Sequence, residues 1–319
     1  MTTSVFIDGA AGTTGLEIAQ RLGDRPDISL IILSDDKRKD DAARAEAIND
    51  CDIAVLCLPD DAARAAIAMI RNDTTRVIDA STAHRTAPGW IYGFPELVGS
   101  DKVAASRFTA NPGCYPTGFL ALVAPLVADG LLPADWPYTL NAVSGYSGGG
   151  KALIERFESA DAAGDGIAFR DYGLAMGHKH IPEMKALAGL AHDPLFAPAV
   201  VDAYRGMIVE VPIPVAAMQS MRMRVADAAA MRDALSSFYA GSALVSVSSE
   251  AMSELLLRAS LPASDCLELF VFGAEDGSQV RLAARLDNLG KGASGAAVQN
   301  LNLMAGLPET EGLRLASFA

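Results

Sequence analysis

Aromatic side chains are scarce in this chain, 6% of 319 residues, so alanine and leucine must do much of the core filling. Positive charge is also short: 26 Lys and Arg stand against 39 Asp and Glu, a formal net charge of -13. A nucleic-acid backbone needs basic patches, so that class of partner is excluded. Anionic small molecules remain open, because local arginines and main-chain amides can outweigh a global charge. Long apolar runs are missing too. The longest, Phe119 to Ala128, is interrupted by Pro125 and falls far below the ~20 residues of a membrane span. The first residues carry neither a basic stretch nor a leader-length apolar run, which predicts no export signal. The four cysteines (Cys51, Cys57, Cys114, Cys266) show no metal spacing and no disulfide framework. They read as reduced thiols of a cytoplasmic protein.

Half of the chain is hydrophobic and a fifth charged, the balance of a soluble globular protein. Its length predicts two domains. In the first part, short apolar runs alternate with helical spacing. Val5–Ile7, Ile28–Leu33, Ile53–Leu58 and Val77–Ile78 read as strands; 14–21, 41–49 and 61–71 read as helices. Such alternation means a parallel sheet covered by helices. After Pro116 the pattern changes: a helix over 119–131, strands at 140–144, 207–215, 266–272 and 280–286, and a closing helix over 292–306. The expectation is a Rossmann-like α/β domain followed by an α+β domain with a mixed or antiparallel sheet, the boundary lying near Cys114.

Asp8-Gly9-Ala10-Ala11-Gly12-Thr13-Thr14-Gly15 joins the first strand to the first helix. Glycines spaced GxxGxxG in that context let a backbone approach a pyrophosphate, whose charge meets the helix start. A bare strand–helix turn is the alternative. The second strand ends in Ser34-Asp35-Asp36-Lys37-Arg38-Lys39. Ser34, Lys37 and Arg38 suit the 2'-phosphate of NADP(H), although two aspartates are unusual company for it.

Asn111-Pro112-Gly113-Cys114-Tyr115-Pro116-Thr117 places Cys114 after a turn and at a helix start. The helix dipole favours a thiolate there, which makes Cys114 the candidate nucleophile. The other cysteines read as buried hydrophobes. Of the four histidines, two lie in His178-Lys179-His180-Ile181-Pro182-Glu183 and are candidates for proton transfer; a polar loop is the alternative. Ser144 to Lys151 and Asp79 to Arg85 each follow a strand and carry groups that suit anions, among them Ser144, Gly145, Ser147 and Arg85.

Taken with Tyr92 to Leu97 and Asp287 to Gly295, these motifs in this order resemble the shorter variety of N-acetyl-gamma-glutamyl-phosphate reductases, within the aspartate-semialdehyde dehydrogenase superfamily. The resemblance covers nearly the whole chain. It implies a homodimer or homotetramer that reduces a small acyl phosphate with NADPH, in arginine biosynthesis, through a thioester on Cys114. It implies an NADP-binding domain over 1–115 and 292–319 and a catalytic and dimerisation domain over 116–291. By the same resemblance, His178 is the general acid/base, and His180, Glu183 and Asn111 join the substrate-binding set. Gly9, Ala10, Gly12, Thr13, Thr14 and Gly15 hold the dinucleotide, with Asn288 and Lys291 near the nicotinamide. An aspartate-semialdehyde dehydrogenase, a reductase of a carrier-bound amino acid and a non-catalytic NADP-binding sensor are the competing readings.

Overall fold

The computed structural model describes residues 2–159 and 166–316. The chain forms two compact units, Met1–Gly113 with Ala293–Arg314, and Cys114–Gly292 with the chain from Leu315. The tail was expected with the first unit, but Ala316 accepts a hydrogen bond from the Ser264 hydroxyl of the second.

In the first unit β1 (Thr3–Asp8), α1 (Thr13–Leu22), β2 (Ile28–Ile31), α2 (Asp41–Asp50), β3 (Ile53–Leu56), α3 (Asp60–Ala68) and β4 (Arg76–Asp79) alternate. Then come β5 (Ile91–Tyr92), α4 (Pro95–Val98), α5 (Ser100–Ala105) and β6 (Phe108–Ala110). The six strands run parallel in the order β2-β1-β3-β4-β6-β5. Side chains alternate across a strand, and both faces here are apolar. Val5, Ile7, Ile53 and Val55 pack with Ile18 and Leu22 on one face. Phe6, Ala54 and Leu56 pack with Ile48 and Ala63 on the other. A sheet buried on both sides is the expected Rossmann-like arrangement. The Asp40 carboxylate caps α2, accepting from the Ala42 amide at 2.9 Å.

The second unit contains α6 (Cys114–Ala128), β7 (Thr139–Gly145), α7 (Gly150–Glu158), β8 (Phe169–Asp171), α8 (Ile181–Leu187), β9 (Leu195–Val201) and β10 (Met207–Ile213). It continues with α9 (Val215–Ser220), α10 (Ala228–Phe238), β11 (Val245–Val247), β12 (Leu267–Gly273) and β13 (Val280–Leu286). Among the described residues its seven strands form a mixed sheet, β11-β12-β13-β10-β7-β9-β8, with β11/β12 and β7/β9 paired in parallel and the other neighbours antiparallel. A π-helical turn at Gly290–Ser294 then leads into α11 (Gly295–Ala305), which belongs to the first unit.

The buried helix α6 starts at Cys114 rather than at Phe119, with Pro116 in its first turn, where a missing N–H costs nothing. Pro125 does not end it, although it deprives the Ala121 carbonyl of its helical donor. The Tyr239 hydroxyl, at the end of α10, donates to that carbonyl at 2.9 Å instead. Strand β9 was not anticipated. Pro198 at its centre argues against a strand when only sequence is considered, yet it lies opposite Ala142 in the parallel ladder with β7. Among the described residues no helix is long and apolar enough to cross a membrane.

Candidate active site

The turn after β1 lies where strand order reverses, with β2 on one side of β1 and β3 on the other. Open α/β sheets bind ligands at that point. Gly9 has φ +89°, and a Cβ on it would stand 2.3 Å from the Cys57 carbonyl oxygen, so no other residue fits without moving the end of β3. The first helical hydrogen bond runs from the Leu16 amide to the Gly12 carbonyl at 2.8 Å. The amides of Thr13, Thr14 and Gly15 precede it, and a helix start leaves such amides to an anion.

Beside this turn lies a cavity of about 520 Å³, walled by Gly9, Ala10, Leu33, Asp35, Arg38 and Lys39 among others. Arg38 reaches it as expected; Ser34 and Lys37 do not line it. The reason is local. The amides of Lys37 and Arg38 both bond to the Ser34 carbonyl, a tight turn. The Ser34 side chain bonds to Asp36, holding that carboxyl below its usual range. Lys39 and Arg44 take the places at the cavity wall. Arg38 pairs with Asp35 at 2.9 Å in a largely exposed pair, and such pairs are worth only about 0–1 kcal/mol. An incoming phosphate can therefore displace Asp35. Arg44 is committed elsewhere, to Asp8 and Asp41, each at 2.9 Å.

At the end of β4 the buried Asp79 carboxylate accepts from the Ser81 amide (2.9 Å) and hydroxyl (2.7 Å) and meets His84 Nδ1 at 2.6 Å. The His84 ring stacks on Trp90 at 4.2 Å. Arg85 donates from Nε to the Asn111 carbonyl (3.0 Å) and from Nη2 to the Ala80 carbonyl (3.3 Å). The Asn111 carboxamide donates to the Ala293 carbonyl at 3.0 Å and accepts from Asn300 at 3.1 Å. Both residues thus hold main chain in the first unit.

In the second unit Cys114 is half-buried at the first position of α6. Gly292 lies against it, for a Cβ on Gly292 would stand 2.8 Å from the Cys114 Cβ. The Tyr172 hydroxyl donates to the Tyr115 hydroxyl (3.1 Å), which donates to the Ala199 carbonyl (3.3 Å). Burial, with a contribution from Cys114, raises both phenols, Tyr172 to about 12 and Tyr115 well above its ordinary value. The His178 ring sits edge-on to Tyr115 (6.1 Å), Tyr172 (5.9 Å), His180 (4.7 Å) and Phe196 (4.9 Å). Burial, then the charge of Lys179, pulls its pKa down to about 4. His180 and Glu183 are buried at the start of α8.

The Ser144–Lys151 run is tied together by main chain and by Asn288. The Gly145 amide donates to the Gly206 carbonyl at 2.8 Å, and the Ser144 hydroxyl to the Gly145 carbonyl at 3.0 Å. Asn288 donates to the Ser147 hydroxyl (2.9 Å) and accepts from the Gly206 amide (2.8 Å). Its carboxamide therefore fastens this loop to the start of β10. Lys291 is buried, and its charge bears on Cys266. Asp287, fully buried, pairs with Arg205 at 2.8 Å and accepts from the Leu289 amide at 2.9 Å. Burial raises its carboxyl against the pull of Arg205. Asp287→Ala leaves that arginine without its carboxylate, and a loss of about 3 kcal/mol is expected. Urea denaturation checks it; a change below about 0.5 kcal/mol refutes the pair's importance.

Tyr172, Phe196 and Arg205 escaped sequence reasoning, while Lys39 and the Asp79–His84 pair lay within runs it quoted without being singled out. Each lies far in sequence from what it serves or in a segment without periodicity. The cation cluster after β2 was the one available signal, and it pointed to Lys39 as much as to Lys37.

Two family models match the chain: the semialdehyde dehydrogenase NAD binding domain over residues 4–105 and the semialdehyde dehydrogenase dimerisation domain over 114–288. The N-acetyl-gamma-glutamyl-phosphate reductase of Trichormus variabilis is 48% identical over 321 residues, covering 97% of this chain and 98% of that protein. That of Burkholderia ambifaria is 51% identical over 311 residues, covering 95% and 96%. The chain belongs to the N-acetyl-gamma-glutamyl-phosphate reductase family.

Among solved structures, aspartate semialdehyde dehydrogenase II of Vibrio cholerae superposes with a TM-score of 0.67 at 18% identity, covering 96% of this chain and 99% of that one. The Francisella tularensis aspartate semialdehyde dehydrogenase gives 0.68 at 13% identity, covering 95% and 100%. These likenesses show the fold alone. They do not favour the aspartate-semialdehyde reading over membership of the reductase family. As a family oxidoreductase with a matched dinucleotide-binding domain, the chain is an enzyme, and the matched dimerisation domain points to an oligomer.

Proposed function

We propose that this chain reduces N-acetyl-L-glutamyl 5-phosphate to N-acetyl-L-glutamate 5-semialdehyde and phosphate, with NADP(H), in arginine biosynthesis. The observation that carries the reading is Cys114 at the start of a buried helix, in one cluster with Tyr115, Tyr172 and His178. The first unit is the NADP-binding domain, and the second is the catalytic and dimerisation domain of a cytoplasmic homodimer or homotetramer.

The Cys114 thiolate, favoured by the start of α6, attacks the acyl carbon. Phosphate leaves and a thioester remains, which splits one hard step into two. NADPH, when bound, supplies the hydride that reduces this thioester. His178 attends the carbonyl oxygen as the acid/base group of the site, while main-chain amides at the start of α6 stabilise the oxyanion. His180 and Glu183 orient substrate beside it, and Ser144, Gly145 and Ser147 form an anion-holding loop that Asn288 fastens. Arg85 and Asn111 keep the end of β4 in shape. Gly9 and Ala10 with the Gly12–Gly15 turn receive the pyrophosphate; Arg38 and Lys39 receive the 2'-phosphate.

The deciding assay runs the reverse reaction with N-acetyl-glutamate semialdehyde, phosphate and either NADP or NAD, beside aspartate semialdehyde. Activity with aspartate semialdehyde alone refutes the substrate; no activity with either refutes the reaction. Lys39→Glu is expected to weaken NADPH binding by about 10–100-fold, the loss of one charge-assisted contact, and to change NADH binding much less. Equal losses for both cofactors, read by fluorescence titration, refute the 2'-phosphate assignment.

A further inference from the structure

A dinucleotide brings several negative charges to the cavity beside the glycine turn, yet a carboxylate stands in its wall. Asp8 ends β1, directly before Gly9, and lines that cavity together with Arg44 of α2. The Asp8 side chain is 4% exposed and that of Arg44 10%. One edge of the guanidinium meets the carboxylate: Nη2 donates to Oδ2 at 2.9 Å, and Nε donates to Oδ2 at 3.1 Å and to Oδ1 at 3.3 Å. Among the described residues Arg44 is the one side chain that bonds to this carboxylate. The remaining nitrogen, Nη1, donates at 2.9 Å to Asp41 in the first turn of α2.

Arg44 differs from Arg38 in what it can release. The Arg38–Asp35 pair is largely exposed, so water replaces either partner at little cost. Turning Arg44 toward a ligand would strand Asp8 as a buried, unpaired charge, which is strongly unfavourable. We propose that Arg44 is a positioning residue that stays on Asp8 and masks its charge beside the pyrophosphate turn, leaving Arg38 and Lys39 to attract the cofactor. The inference rests on the reading that this cavity receives NADP(H), and it states what the incoming phosphates require of the wall.

Three cations and two carboxylates line the cavity: Arg38, Lys39 and Arg44, and Asp8 and Asp35. Without Arg44 the signs balance, and the charge next to Gly9 is the bare Asp8 carboxylate. Two like charges about 7 Å apart at an effective dielectric constant of about 20 repel enough to weaken binding by about 10–100-fold. Bonded to Arg44, the same carboxylate presents a short dipole, whose field falls off much faster with distance. A brace that only ties α2 to the end of β1 makes a different demand. Any pair that keeps the two elements together would serve it, whatever its charge.

The experiment is a double-substitution cycle on the full chain, read by fluorescence titration with NADPH. Arg44→Met, which keeps much of the side chain's length and removes its charge, is expected to weaken NADPH binding by about 10–100-fold. Adding Asp8→Asn to Arg44→Met is expected to restore binding to within about fivefold of the unmodified chain, because the stranded charge is gone. A double variant that stays at the level of Arg44→Met overturns the masking role and leaves only a brace. Adenosine, which carries no phosphate, is expected to bind Arg44→Met within about threefold of the unmodified chain, as read by saturation-transfer NMR. A loss for adenosine as large as that for NADPH overturns the proposal. Arg44→Lys keeps the charge and drops the two-nitrogen edge, so it serves where Arg44→Met does not fold. Its NADPH affinity is expected to stay within about tenfold of the unmodified chain; a larger loss overturns the proposal. NADPH binding by the unmodified chain tests the cofactor reading by itself, so its failure is distinguishable from failure of the cycle.

Discussion

Replacing Cys114 by serine is expected to lower turnover by about 10⁴-fold or more, while NADPH binding stays within about twofold of the unmodified protein. The exchange is small in volume. Cβ, the atom Gly292 packs against, is retained, so folding is little disturbed. The loss is chemical: a helix start can bring a thiol near its working pH, but an aliphatic hydroxyl stays protonated there. The cavity beside the glycine turn, proposed for the dinucleotide, is lined by residues from Phe6 to Ala62 and contains no part of Cys114. Single-turnover assays together with a cofactor titration separate the two effects. Turnover near that of the unmodified protein in a clean Cys114→Ser preparation refutes the thioester route. Loss of NADPH binding shows that the substitution disturbed more than the nucleophile.

His178→Ala is expected to reduce kcat by about 10²–10⁴-fold, the range for a positioned acid/base or oxyanion donor. KM is expected to move much less, because the contact strengthens only as charge develops on oxygen. The same variant leaves Tyr115, Tyr172 and Phe196 facing an empty volume. A thermal scan must therefore accompany the kinetics, so that lost fold is not read as lost chemistry. A folded variant with kcat within about fivefold of the parent moves the role to His180.

Much of this candidate site could be proposed from sequence because its parts are local. A glycine turn between strand and helix, a cysteine after Pro-Gly, and a histidine pair before Ile-Pro-Glu each carry their chemistry within a few residues. The parallel sheet was legible for a similar reason: Val5, Ile7, Ile53 and Val55 sit in short runs that only a doubly covered strand tolerates. What sequence hid depends on distance along the chain. Tyr172 matters because it reaches Tyr115, and Asn288 because it reaches Ser147 and Gly206. Ser34 and Lys37 failed as cavity residues for a local reason that composition does not carry, the tight turn and the side-chain bond from Ser34 to Asp36. Strand β9 stayed hidden because Pro198 occupies a rung of the ladder that sequence patterns assign to other residues.

Cys114 and Gly292 are also the ends of the long segment of the second unit, which the chain rejoins only at Leu315, and they touch. In the first unit the corresponding ends are joined as well, since Asn111 bonds to the Ala293 carbonyl. Along the chain, residues 114–292 of the second unit are thus an insert whose two ends abut, and the first-unit residues that flank it are joined. In genetic terms the Cys114 codon is the first of that insert. A recombination that exchanged the insert between relatives would carry Cys114, the histidine pair and the Asn288 clasp across as a single cassette, leaving the glycine turn and the cofactor preference with the host.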